Sequence, residues 1–238
     1  MNSSILAKVP IFSGLKQSDL DQLAQCSTRR WFKRGSVVVT EGDPADGLYV
    51  VVSGRIKVLL SDNEGKEVVL TVESGGACFG EIALLDEEPR SASVATLEKT
   101  ELLIIYRDHP MDLLDNHPEL ARSLIRSLVH MVRRLTKNVE SLALKDVYCR
   151  IVDVLERRSV VEDDVHVVNE RLTHQLVADM IGASREMVSR IMSDLVKGDY
   201  ISVTSEQIRI NRRLPSGWCR YVKTGIFRVN LDDRRNAS

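Results

Sequence analysis

Apolar positions along this chain fall into stretches of different period, and each change of period marks an element. The first stretch, residues 5 to 30, carries Ile-Phe-Ser-Gly-Leu and then apolar positions at Leu20, Leu23 and Ala24. Ser18 with an acid following is an N-cap signal, so a short helix is expected to start there. From Val37 to Leu60 the residues turn β-branched and aliphatic, broken by Gly42-Asp43-Pro44, Asp46-Gly47 and Ser53-Gly54. Asp62-Asn63-Glu64-Gly65 predicts a hairpin before Val68 to Val72, and Gly75-Gly76 predicts a further turn. Short strands with turn signals at near-regular spacing, closing after Leu102 to Tyr106, predict an all-β barrel or roll.

After His117-Pro118 the period becomes helical and holds to about Leu144. One apolar series, Leu124, Leu128, Met131, Leu135, Asn138 and Leu142, alternates steps of four and three, the spacing of a coiled-coil seam. A second series runs beside it through Ile125, Val129, Val132, Thr136, Val139 and Ala143. Two adjoining stripes exceed what one partner helix requires, so one is expected to face a twin helix and the other the β-roll. The seam through Leu128 and Leu135 is expected to join the dimer, with Asn138 fixing its register.

From Asp146 a second compact unit is predicted. Val147 to Leu155 reads as a helix burying Ile151, Val154 and Leu155, and Ser159 to Val168 as a short acidic hairpin. Thr173 then caps one helix, Gly182 supplies a turn, and Ser184 caps a second helix. Val188, Ile191, Met192 and Leu195 form the buried stripe of that second helix, which leaves Arg185, Glu186, Ser189 and Arg190 outward. Tyr200 to Val203 and Gln207 to Ile210 read as a two-stranded wing.

Composition narrows the class. The chain of 238 residues is 43% hydrophobic and 28% charged, with material for two cores. No stretch approaches the ~18 apolar residues of a membrane span and the N-terminus has no secretory pattern, so no membrane partner and a cytoplasmic location are expected. Cys26, Cys78, Cys149 and Cys219 lie far apart and the five histidines are scattered, so no metal, haem or iron–sulfur cluster is expected. Net charge is only −1, yet residues 1 to 115 hold 12 Lys/Arg against 18 Asp/Glu, residues 116 to 145 hold 6 against 2, and residues 146 to 238 hold 15 against 14. The acid sits in the first part, so a nucleic-acid contact rests on where individual arginines stand.

The densest chemistry lies between Phe79 and Ala92. Gly80 lets backbone N–H groups approach a phosphate, Arg90 offers a planar fork for two phosphate oxygens, and Ser91 adds a hydroxyl. Glu81 would repel a phosphate but can accept from a ribose hydroxyl. A buried arginine without its anion is costly, which argues that the site is in use. In the second unit, Arg185 and Arg190 can pair with guanine O6 and N7, and Glu186 can accept from cytosine N4.

The stretch Phe79 to Ala92 resembles the phosphate-binding cassette of cyclic-nucleotide-binding domains, and Ser184-Arg185-Glu186-x-Val188-x-Arg190 resembles the start of the recognition helix in the CRP/FNR transcription regulators. The resemblance covers roughly residues 5 to 212. It implies an α+β chain: a jelly-roll-like cyclic-nucleotide-binding β-roll (residues 1–115), a dimerisation helix (116–145) and a C-terminal winged helix-turn-helix (146–238). It implies a ligand set of Gly80, Glu81, Ile82, Arg90, Ser91 and Ala92, with Leu135 and Thr136 near the base. It also implies DNA contacts from Thr173, Ser184, Arg185, Glu186, Ser189 and Arg190.

Where the family's cyclic-AMP sensors commonly set a Thr against the adenine, this chain has Leu135. Cyclic AMP is the expected effector, with weakened discrimination against cyclic GMP, and cyclic di-GMP is the alternative, together with an effector-independent regulator. The implied partners are double-stranded DNA at a palindrome with TGTGA-like half-sites, a second copy of the chain, and RNA polymerase. No nucleophile–base pair is discernible, so a binding protein rather than an enzyme is expected. The tail from Leu214 to Ser238, with Trp218, Tyr221 and Phe227, could add packing, contact DNA or be disordered.

Overall fold

A computed structural model describes residues 2–106 and 117–214. The tail beyond Leu214 lies outside the described residues. The chain divides into two compact units between Asn138 and Val139, inside the long helix. No helix among the described residues is long and apolar enough to cross a membrane.

The first unit opens with α1 (Asn2–Leu6), a 3-10 turn (Pro10–Phe12) and α2 (Gln17–Gln25). Ser18 is not the cap of α2, which begins one residue earlier: the Asp19 carboxylate accepts from the Lys16 backbone N–H at 3.3 Å and so fixes the start. Eight strands follow: β1 (Ser27–Phe32), β2 (Val37–Val39), β3 (Gly47–Ser53), β4 (Arg55–Ser61), β5 (Glu67–Ser74), β6 (Cys78–Phe79), β7 (Ser93–Thr96) and β8 (Thr100–Tyr106). They build two four-stranded sheets, in the orders β1-β8-β3-β6 and β2-β7-β4-β5, with antiparallel neighbours throughout. A five-residue helix, α3 (Glu81–Leu85), stands between β6 and β7.

Why β3 and β8 read as unbroken apolar runs follows from the layers. Leu48, Val50, Leu103 and Ile105 pack on one face with Leu6, Phe12, Leu20 and Leu23 of the N-terminal helices. Tyr49, Val51, Leu102 and Ile104 point the other way, toward Val39, Ile56 and Val94 of the second sheet. Both faces are covered, so the alternation of a half-exposed strand is lost. Each fully buried Leu or Ile contributes about 1.5–3 kcal/mol relative to exposure. The edge strand β1, Ser-Thr-Arg-Arg-Trp-Phe, is not legible in the sequence, because its polar residues are those of an exposed edge.

The long helix, α4 (Pro118–Leu144), has 27 residues and its two stripes face different surroundings. Leu124 is buried, and Leu120, one turn earlier, belongs to the core with the N-terminal helices. Further along, Arg134 pairs with Glu73 of β5 and the Asn138 side-chain amide donates to the Leu70 carbonyl at 3.3 Å. The series through Leu128, Leu135 and Asn138 therefore runs along the β-roll side of the helix. The second series is the open one, with Ile125 59%, Val132 62% and Val139 65% exposed. Asn138 does not sit on an exposed seam, since its amide satisfies a strand carbonyl instead.

The second unit begins at the end of α4 and continues with α5 (Val147–Arg158), capped by the Asp146 carboxylate, which accepts from the Cys149 N–H at 2.9 Å. A hairpin of β9 (Val160–Glu162) and β10 (Val165–Val168) turns at Asp163 and Asp164, both left-handed. Next come α6 (His174–Ile181) and α7 (Arg185–Lys197), then β11 (Ile201–Val203) and β12 (Ile208–Ile210). The wing is not a separate two-stranded ribbon: β12 also pairs with β10, giving one four-stranded sheet in the order β11-β12-β10-β9. Ile151, Leu155, Val177, Val188, Ile191 and Leu195 form the core beneath it.

Gly182 ends α6 at φ 61°, and its N–H donates back to the Ala178 carbonyl. An added Cβ would combine left-handed strain with a 3.2 Å approach to Leu142 Cδ2. Gly182→Ala is expected to lower stability by about 1–2 kcal/mol, read as a lower denaturation midpoint for the full chain. An unchanged midpoint would show that this turn does not need its left-handed residue.

Candidate functional site

Gly80 connects β6 to α3 at φ 89°, a conformation that disfavours a side chain. Space forbids one too: a Cβ there would stand 2.6 Å from Arg90 Nη1 and 3.1 Å from the Gly47 carbonyl oxygen. Arg90 arrives from the loop before β7, which its backbone fixes. Its N–H donates to the Asp43 carbonyl at 2.8 Å, and its carbonyl accepts from the Gly42 N–H at 2.9 Å. The side chain is 3% exposed.

The buried guanidinium is held by acceptors of the protein itself. Nη1 donates to the Gly80 carbonyl at 2.9 Å, while Nη2 donates to the Gly47 carbonyl at 2.8 Å and to Asp46 Oδ1 at 2.5 Å. Arg90 is thus paired without a ligand, and its burial by itself is no sign that a ligand is needed. Asp46 supplies the anion. The Tyr49 ring lies 5.5 Å from the guanidinium carbon, and its hydroxyl donates to both Asp46 oxygens at 3.0 and 2.8 Å. Burial, then the Asp46 bond and charge, push the Tyr49 phenol up to about 12. That keeps it a donor at any physiological pH.

Glu81 is the first residue of α3 and is buried. Desolvation raises its pKa above the usual carboxylate range, opposed in part by its own backbone N–H and by the charges of Arg134 and Arg90. Beside it, burial pushes the Cys78 thiol up, so this cysteine is a neutral apolar group rather than a nucleophile.

Gly80, Glu81 and Arg90 are therefore brought together, with Ile82 half-buried on α3. Ser91 is exposed and Ala92 half-buried, following Arg90. Leu135 is half-buried on the β-roll side of α4, whereas Thr136 is exposed with its hydroxyl donating to the Val132 carbonyl at 2.9 Å. Thr136 lies on the open stripe and is not gathered with the clamp of its own chain. Sequence reasoning missed Asp46, Gly47 and Tyr49, which have the look of a turn and a strand. It also missed Arg134 and Glu73, because neither belongs to an apolar series. Among the described residues no group of three or more His, Cys, Asp or Glu is placed to hold a metal ion.

In the second unit Thr173 and Ser184 both act as caps, their hydroxyl oxygens accepting from Leu176 N–H at 3.1 Å and Met187 N–H at 3.2 Å. Each hydroxyl keeps its hydrogen for another acceptor. Val188, Ile191, Met192 and Leu195 are buried under α7. Their spacing turns Arg185, Glu186, Ser189 and Arg190 outward along an open polar trough that continues through Ser193, Asp194 and Lys197. Donors and acceptors alternate along a straight helix face, the form of surface that a major groove admits.

Comparison with known proteins agrees with this division of labour. Residues 29–117 match the model of the cyclic nucleotide-binding domain, and residues 149–213 that of the Crp-like helix-turn-helix domain. A CRP-like cAMP-activated global transcriptional regulator of Mycobacterium tuberculosis is 30% identical over 87% of this chain and 94% of its own. The cyclic AMP receptor protein of Thermus thermophilus is 30% identical over 79% of this chain and 86% of its own. The solved structure of the c-di-GMP responsive global regulator CLP of Xanthomonas campestris shares the fold, with a TM-score of 0.71 at 23% identity, covering 83% of this chain and 100% of that one. The chain belongs to the CRP/FNR family of transcription regulators, as a cyclic-nucleotide-binding, DNA-binding member.

Proposed function

We propose that this protein is a homodimeric cytoplasmic regulator that binds cyclic AMP at the Gly80–Arg90 clamp and then a palindromic DNA site. It has no catalytic step. The observation that carries the reading is the set of Arg90 donors beside the Gly80 turn that the protein's own acceptors leave unfilled. Among the described residues, Nε and the second hydrogen of Nη1 have no acceptor and are the groups left for a phosphate. Glu81, the first residue of α3 after Gly80, supplies the acceptor for the ribose in this reading. Cyclic AMP as the effector is supported by the two relatives at 30% identity whose names carry it.

The open stripe of α4 supports the dimer. Ile125, Val129, Val132, Thr136 and Val139 repeat at steps of four and three, and a soluble chain does not leave such a seam uncovered. Pairing along it would bring Thr136 of each chain toward its twin. A ligand that favours one arrangement of the first unit against α4 shifts the population of dimers whose recognition helices reach successive major grooves, about 34 Å apart. RNA polymerase is the expected partner once DNA is bound.

Val129→Glu combined with Val132→Glu is expected to give a monomer in sedimentation, while Leu128→Glu is expected to damage the β-roll packing instead. A double variant that stays dimeric would remove the seam assignment. For the DNA face, Arg190→Ala is expected to cost about 1–3 kcal/mol and to relax preference at one base pair of the half-site. Site selection returning an unrelated, non-palindromic sequence would end this reading. For the clamp, Arg90→Ala is expected to weaken cyclic AMP more than tenfold in calorimetry, as a charge-assisted bond of about 1.5–3 kcal/mol requires. Equal affinity in both proteins would place the nucleotide elsewhere.

A further inference from the structure

The clamp holds a ribose phosphate and is silent about the base. Leu135 offers no hydrogen bond, and the Thr136 hydroxyl is committed to the Val132 carbonyl on the open side of α4. The polar groups that do stand on the β-roll side are Arg134 of α4 and Glu73 of β5. Arg134 Nη1 donates to Glu73 Oε1 at 2.7 Å. Glu73 stands near the end of β5, and the chain passes from there through the short strand β6 into the Gly80–Glu81 turn, where the charges of Glu73 and Arg134 are felt by Glu81.

Donors outnumber acceptors in the pair. Glu73 Oε1 already receives two hydrogens, from Arg134 and from the Thr71 hydroxyl at 2.8 Å. Arg134 Nε is buried and has no acceptor among the described residues. The Arg134 side chain is 41% exposed and its Nη2 has no acceptor among the described residues, so this place favours a ligand group that brings acceptors. The two purines differ at position 6: guanine presents O6 beside N7, two acceptors spaced for a guanidinium fork, whereas adenine presents N7 beside an amino donor.

We propose that Arg134 is a base-reading residue of the effector site, and that through it the site takes a guanine-bearing cyclic nucleotide at least as well as cyclic AMP. The inference rests on the clamp reading above and concerns the base alone. An ion pair that merely docks α4 on the roll would affect all ligands alike, so the ratio between ligands separates the two roles.

The test is calorimetric titration of the full-length protein with cyclic AMP, cyclic GMP and cyclic di-GMP, repeated on Arg134→Met and Arg134→Lys. Both substitutions suit a helix interior, and lysine keeps the charge without the fork. The wild type is expected to bind cyclic GMP as tightly as cyclic AMP or tighter. Both variants are expected to weaken cyclic GMP by roughly tenfold while changing cyclic AMP by less than about threefold, a loss of one bidentate contact. Binding of cyclic di-GMP with the same sensitivity to Arg134 would support guanine reading and assign the base to a dinucleotide. A wild-type preference for cyclic AMP above tenfold, or an unchanged ratio in both variants, would overturn the proposal. If no nucleotide binds the wild type and Arg90→Ala alters nothing, the clamp reading falls and this inference falls with it.

Discussion

A buried guanidinium is the constraint around which the first unit is arranged. Taking a cation out of water is expensive unless its hydrogens find acceptors, and Arg90 finds them on two separate segments. The Gly80 carbonyl belongs to the turn after β6, the Gly47 carbonyl to the start of β3, and the Asp46 carboxylate to the loop before it. One side chain thus ties the turn between β6 and α3 to both a central strand and its loop. Gly80 is a consequence of this closeness, since any Cβ would meet the guanidinium. Tyr49 completes the arrangement by stacking on Phe79 at 5.0 Å and donating to Asp46.

The Arg90 fork is already paired with Asp46, so its charge is balanced within the protein, and its acceptors belong to the start of β3 with the loop before it and to the turn before α3. Glu81 adds a second link: its raised pKa reflects burial, opposed by the charges of Arg134 on the long helix and of Arg90.

The long helix meets two environments through geometry alone. With 3.6 residues per turn, adjoining stripes point about a right angle apart, so one can pack on strands while the other stays open. Arg134 and Asn138 mark the packed side by bonding to Glu73 and the Leu70 carbonyl. In the second unit the same logic turns Val188, Ile191, Met192 and Leu195 inward and gives the opposite face of α7 to charged and hydroxyl groups. The chain's small net charge hides this, because acid concentrated in the β-roll offsets arginines placed on one helix face.

What the sequence determined is what local chemistry dictates. Caps at Thr173 and Ser184, the left-handed Gly182 and the period of α4 are each written in residues a few positions apart, and the structure places them as read. Tertiary structure alone decided which of two equally periodic stripes on α4 meets the roll, since period fixes the angle between stripes but not their environment. It decided that β12 pairs with β10, because strand pairing joins segments some forty residues apart. It also decided that Arg90 rests on Asp46, 44 positions away, and Arg134 on Glu73, 61 positions away. No spacing rule links residues so distant; only the folding of strands and helix over one another brings their charges within reach.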